Sequence, residues 1–278
     1  MPDRRPTVVL VQNSPHSGPG RLPDWLDADG ATAVVVQGAD LDSRVPALVG
    51  GAWSDLPDGP VDGLVLLGGG LLPDEDERAP WLAHERALVA EALDAGVPVL
   101  GICLGGQVLA HVTGGTVTGR SGETEKGLCP VRLLDDAADD ALLGPVGELA
   151  VGGEVRMVES HVDSITGLPP RAVLLATSDA CGVQAFRVGE VAWGLQFHPE
   201  AEPERIGTWD ADELAELGFD RDELLAAALE RAPENERQAR ALASAFAAVV
   251  HDRRGRETRP RHAGAPGQDR AHDDAGAR

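Results

Sequence analysis

The chain of 278 residues contains no tyrosine, four Phe, five Trp and three cysteines. With so few aromatic side chains, Val, Leu and Ala must fill any core. The cysteines, at 103, 129 and 181, are odd in number and lack C-x-x-C spacing. That pattern gives neither a disulfide framework nor a zinc site, and reduced thiols are expected. No run of about 18 apolar residues is present, which excludes a membrane span. The start MPDRRPTVVLVQNSP lacks the apolar stretch of a signal peptide, so the expectation is a soluble, cytoplasmic protein with no membrane partner. Positive charge is also scarce: 24 Lys and Arg, nearly all arginine, stand against 46 Asp and Glu for a net charge of −22. Binding a nucleic-acid backbone requires clustered cations that displace counterions, so nucleic acid is excluded as a partner. The length suits one large α/β domain with appendages.

What is present begins with short apolar runs rich in β-branched residues. TVVLVQ (7–12), ATAVVV (31–36), VDGLVLLG (61–68) and VPVLGI (97–102) are each bounded by Gly, Pro or Asp. Near-continuous hydrophobicity marks strands buried on both faces of a parallel sheet. Between the last two, WLAHERALVAEALDAG places Trp81, Leu82, Leu88, Val89, Ala92 and Leu93 on one helical face, with Gly96 as its stop. Strand, helix, strand is a crossover unit, and the first half therefore reads as a doubly wound sheet. Beyond residue 112, VTGGTVTG, CPVRLL, EVRMV, AVLLAT, VQAFRV and VAWGLQF follow one another across short turns, which predicts antiparallel additions. From about 203 the pattern is helical in three pieces, DADELAELG, DRDELLAAALERA and ENERQARALASAFAAVV. The expected organisation is a flexible start (1–6), a main domain (7–201), a C-terminal helical extension (202–250) and a disordered tail (251–278).

Cys103 lies in GICLGGQ, directly after an apolar strand and before a helix-like run. A nucleophile on a sharp strand-to-helix turn needs small residues two positions either side, and Gly101 and Gly105 supply them. The turn also sets the sulfur beside a helix N-terminus, whose free N–H groups can receive an oxyanion. A thiol nucleophile requires a base held by a third group. VAWGLQFHPE ends in His198-Pro199-Glu200, where residues two apart on an extended chain point the same way. Glu200 can then fix the imidazole tautomer that turns its other nitrogen toward Cys103. Cys129 and Cys181 have no base in their sequence context and read as packing residues. Arg120, Glu123, Glu125 and Lys126 read as a solvated, charged loop.

The paired motifs GICLGGQ and LQFHPE resemble the class I glutamine amidotransferase superfamily, over about residues 7–201. NSPHSGPGRLPDWL, LLGGG, PWLAHE, ESHVDS and CGVQAFRVGEVAWGLQFHPE are similar to its stand-alone, GMP-synthase-like members. The resemblance implies a flavodoxin-like α/β fold: a mixed, mainly parallel sheet with helices on both faces and an antiparallel extension. It implies a Cys103-His198-Glu200 triad, an oxyanion hole from the N–H groups of Gly69 and Leu104, and substrate contacts from Gln107, Ser160 and His161. Gly70 stands where the family has proline, and Val162 where it has glycine in Ser-His-Gly-Asp.

The implied activity is hydrolysis of the glutamine side-chain amide through a cysteinyl γ-glutamyl thioester, with no metal and no cofactor. The ammonia would pass to a separate synthase, because LLGGGLLPDEDE is not a phosphate-binding loop and the 80 residues after His198 are too few for a synthase domain. Two alternatives stand beside it: a self-sufficient hydrolase of γ-glutamyl amines or peptides, and a non-catalytic binding or regulatory module of the same fold.

Overall fold

The computed structural model describes residues 4–41 and 61–258. The expected flexible residues 1–3 and the end of the expected tail, 259–278, lie outside them. A nine-stranded sheet organises the molecule. Its parallel part holds β1 (Thr7–Gln12), β2 (Thr32–Gln37), β3 (Gly63–Leu66), β4 (Val99–Ile102) and, far along the chain, β11 (Ala192–Leu195). The antiparallel part adds β10 (Ala185–Val188), β9 (Val173–Thr177), β6 (Glu125–Leu133) and β7 (Glu154–His161). The order across the sheet is β2-β1-β3-β4-β11-β10-β9-β6-β7. A separate two-stranded ribbon pairs β5 (Thr116–Thr118) with β8 (Ser164–Gly167), the latter too polar to stand out in the sequence.

Helices cover both faces, and the period-two alternation of each strand assigns its side chains to them. Val8 and Leu10 of β1, with Leu100 and Ile102 of β4, pack against α1 (Leu22–Ala28) and the C-terminal helix α6 (Arg221–Thr258). Val9, Val11 and Val99 turn to the opposite side, against α2 (Trp81–Ala95) and α3 (Leu104–Val112). Two short helices complete the set: α4 (Gly144–Gly147) between β6 and β7, and α5 (Ala211–Glu216) before α6. The expected α/β architecture with an antiparallel extension is therefore the one observed. α6 is a full layer of the core, because Leu242, Phe246 and Val250 are buried against the sheet.

Two expectations about the C-terminal region need correction. The two helices foreseen between 220 and 250 are one helix of 38 residues that runs through Pro233. Proline removes the donor for the carbonyl of Leu229, and Leu229 is 45 % exposed, so water can satisfy that carbonyl and the helix continues. The helix also passes residue 250, the expected end of the helical extension, and residues 251–258, expected to open a disordered tail, are helical. Polar side chains, which composition scores as tail, anchor this part. The His251 ring bonds the Asp29 carbonyl at 3.0 Å, and Arg253 donates to the carbonyls of Gly96 and Ala95, each at 2.7 Å. They satisfy carbonyls where α1 and α2 end.

Candidate active site

Cys103 sits between β4 and α3 at φ 51° and ψ −109°, a strained conformation for a residue with a side chain. The surrounding backbone enforces it. The Cys103 N–H donates to the Leu195 carbonyl at 2.8 Å, and the Cys103 carbonyl accepts from the Gln107 N–H at 2.9 Å. The glycines are required for close backbone approach: a Cβ on Gly101 would lie 2.4 Å from the Gly105 carbonyl oxygen, and one on Gly105 only 2.2 Å from that of Leu66. The spacing noted in the sequence thus has a steric cause.

The turn after β3 runs alongside this elbow. A Cβ on Gly69 would fall 2.9 Å from Leu104 Cδ2, so this turn packs against the Leu104 side chain. Leu104 is the first residue of α3, so its N–H has no acceptor within the helix. A Cβ on Gly68 would meet His198 Cε1 at 2.9 Å and Cys103 Cβ at 3.5 Å, so histidine and cysteine face the same small space. A Cβ on Gly70 would meet nothing within 4 Å.

His198 Nδ1 is 2.7 Å from Glu200 Oε1, and both residues are buried. The His198 N–H donates to the Val158 carbonyl at 2.8 Å, tying this segment to β7. Burial pushes the imidazole pKa down, but the Glu200 carboxylate and the Cys103 sulfur outweigh it and hold the ring well above its ordinary value. The acid is braced from the NSPHSGPGR segment, whose role the sequence did not disclose. The Arg21 N–H donates to the Glu200 carbonyl at 3.1 Å. The Arg21 guanidinium donates to the carbonyls of Pro199 at 3.1 Å and Ala201 at 2.8 Å, and to Asn235 Oδ1 of α6 at 3.0 Å.

Of the foreseen substrate contacts, Gln107, Ser160 and His161 all line a cleft of about 430 Å³ that also contains Cys103 and His198. Gln107 Nε2 donates to the Asp163 carbonyl at 3.2 Å. The His161 ring is committed inward: Nδ1 faces the Asp163 carbonyl at 3.2 Å, and Nε2 lies 3.5 Å from both Glu125 and Glu159. Burial first, then the Glu125 charge, pushes the Glu159 carboxyl well above the usual range.

This buried group corrects the reading of residues 120–126 as a solvated loop. Glu125 opens β6, is 7 % exposed, and accepts from Gln184 Nε2 at 2.5 Å and Ser178 Oγ at 2.9 Å. Lys126 lies in the cleft. The sequence pattern shows this strand only from Cys129 onward, because the charged residues before it hide its apolar pattern. Ligand atoms of Glu125, His161 and Cys181 approach within 4.8 Å of one another, a spacing a metal ion could use. Glu125 already accepts hydrogen bonds from Gln184 and Ser178, however, and burial pushes the Cys181 thiol up, so the group reads as packing behind the His161–Asp163 segment. Burial likewise pushes Cys129 up to about 12. Neither thiol belongs to the cleft lining.

A second buried network supports the glycine turn. Asn13, at the end of β1, donates to the Leu67 carbonyl at 3.3 Å and to Glu85 at 3.0 Å, and accepts from Trp81 Nε1 at 3.0 Å. Burial pushes Glu85 up to about 7 against the opposing hydrogen bond from Asn13. Sequence periodicity placed apolar residues of α2 inward but gave no sign of this carboxyl among them.

The comparisons with known proteins agree with this geometry. A component of the glutamine-hydrolysing GMP synthase of Haloarcula marismortui is 41 % identical over 142 residues, 50 % of this chain and 64 % of that protein. Gamma-glutamyl peptidase 3 of Arabidopsis thaliana is 33 % identical over 106 residues, 38 % of this chain and 42 % of that protein. The chain thus spans less than two thirds of the length of these curated relatives. A glutamine amidotransferase of Thermotoga maritima, of known structure, superposes with a TM-score of 0.71 at 25 % identity, over 89 % of this chain and 99 % of its own. The class-I glutamine amidotransferase model matches residues 52–209, more than half of the 278 residues and the whole stretch from the glycine turn through Cys103 to Glu200, and the chain belongs to that family.

Proposed function

We propose that the protein hydrolyses the side-chain amide of glutamine and supplies the ammonia to a separate synthase. The observation that carries this is the elbow itself: Cys103 is held strained at the head of α3, beside the Gly69 turn and facing the buried His198–Glu200 pair. The Cys103 sulfur attacks the amide carbon, and the carbonyl oxygen becomes an oxyanion received by the N–H groups of Gly69 and Leu104. His198, charged through Glu200, gives its proton to the nitrogen, and the C–N bond breaks to release ammonia and leave a γ-glutamyl thioester. Water then gives a proton to His198 and attacks the thioester carbon, releasing glutamate and the sulfur. Glu200 keeps Nδ1 occupied, so that Nε2 performs both transfers.

The assignment of ammonia to a synthase draws on the similarity to the GMP synthase component. The purified chain is expected to release ammonia slowly from glutamine and faster when its synthase is added. A second reading, self-sufficient hydrolysis of γ-glutamyl amines or peptides, is favoured by the capacity of the cleft, whose lining extends past the catalytic group to Trp209 and Glu213. Ammonia and amine release from glutamine and a panel of γ-glutamyl amines separates the two. Fast, partner-independent cleavage of one γ-glutamyl amine with little glutamine turnover would replace the first reading by the second.

A further inference from the structure

Lys126 is the single lysine of a chain that otherwise carries its positive charge on arginine. It lies on β6 directly opposite Ser160 of β7, and both line the catalytic cleft. Its ammonium donates to Ser160 Oγ at 3.2 Å and stands 6.0 Å from the centre of the Trp209 ring. Among the described residues, no carboxylate comes within ion-pair distance of it. The group is half-buried, and desolvation pushes its pKa down more than Cys103, Glu213 and Asp163 push it up. A desolvated ammonium with a hydroxyl and an aromatic face, but no anion, is an incomplete ion-binding site. Opposite charge is available on the same cleft at Glu213, four residues beyond the region matched by the family model. Glu213 is positioned by α5, whose cap Asp210 accepts from the N–H groups of Asp212 and Glu213.

We infer that Lys126 binds the α-carboxylate of the substrate and Glu213 its α-ammonium, so that the site takes γ-glutamyl compounds whose α-groups are both free. This rests on the reading of Cys103 as the nucleophile of a γ-glutamyl amidase. The flexible, strongly hydrated lysine suits a single carboxylate that must arrive and leave, whereas an arginine fork would hold it bidentately. Trp209 screens the ammonium from water on one side and so strengthens its attraction for the incoming anion. The C-terminal extension thereby contributes to substrate choice as well as to the core.

The test compares glutamine, its α-amide, in which the α-carboxylate is capped, and N-acetylglutamine, in which the α-amine is capped. The wild-type enzyme is expected to prefer glutamine over the α-amide by on the order of 100-fold in kcat/KM, a discrimination typical of a lost charged hydrogen bond in a shielded site. Lys126→Met should raise the KM for glutamine by about 10- to 100-fold, with the larger part of the loss in KM, and abolish the preference over the α-amide. Lys126→Arg should restore part of the preference, which controls for a packing defect in the methionine variant. Glu213→Gln should lower the preference for glutamine over N-acetylglutamine and leave the α-amide discrimination in place. Retention of the wild-type α-amide discrimination in Lys126→Met, or a loss in kcat alone, would overturn the inference while leaving the amidase reading intact. A wild-type enzyme that cleaves neither glutamine nor any γ-glutamyl amine would overturn both.

Discussion

Replacement of Glu85 by glutamine gives a stability difference whose size and pH dependence follow from the structure. The carboxyl is fully buried in α2, with one oxygen accepting from Asn13 at 3.0 Å and the other without a hydrogen-bond partner. Burial raises its pKa from the ordinary 4.5 to about 7. Between those two values the folded protein holds a proton that the unfolded chain has lost, so folding stability falls as pH rises and levels off above about 7. At about 1.4 kcal/mol per pH unit, the buried carboxylate costs roughly 3 kcal/mol at pH 8 relative to its protonated form. Glutamine has nearly the same shape, keeps an acceptor for Asn13 and cannot ionise. Glu85→Gln should therefore match the wild type at pH 4.5 and exceed it by about 3 kcal/mol at pH 8. Urea unfolding across that range measures the difference directly, and Glu159, which titrates in both proteins, cancels in the comparison. A stability difference that does not change with pH would refute the reasoning.

Two further outcomes follow from the site. Glu200→Gln removes the carboxylate that counters burial at His198, so the ring should titrate at lower pH than in the wild type; the imidazole NMR titration and the pH–rate profile read this shift, and an unchanged ring pKa would contradict it. Gly101→Ala would press a methyl group to 2.4 Å from the Gly105 carbonyl oxygen, within backbone that cannot yield, and should destabilise the protein by about 2–3 kcal/mol and misplace the elbow; urea unfolding and glutamine turnover both measure it, and wild-type values would contradict it.

The parallel half of the sheet was legible because its strands are buried on both faces and carry continuous apolar runs. Cys103, His198 and Glu200 were legible because an elbow and its base demand fixed local spacings, G-x-C-x-G and H-x-E. What stayed hidden was polar. Glu85, Glu125 and Glu159 are buried carboxyls, and side-chain charge in a sequence is ordinarily a sign of exposure. Their burial depends on partners such as Asn13, Gln184 and His161, which only the folded chain brings near. The reach of α6 was hidden for the same reason: Arg253 and His251 look like tail residues until the carbonyls they satisfy, at Gly96 and Asp29, are in place. Pro233 marked a helix end by local rule, and exposure of the Leu229 turn relieved that rule.

The central claim, that Cys103 is the nucleophile of a glutamine amidase, is tested most directly by a γ-glutamyl electrophile such as a diazoketone analogue of glutamine. The protein has three free cysteines, so the labelled position is itself informative. The account predicts a single adduct on Cys103, formed in step with loss of ammonia release from glutamine, slowed by glutamine, and absent in Cys103→Ser, which should have no turnover. An adduct on Cys129 or Cys181 accompanying the loss of activity, or ammonia release that survives in Cys103→Ser, would contradict it.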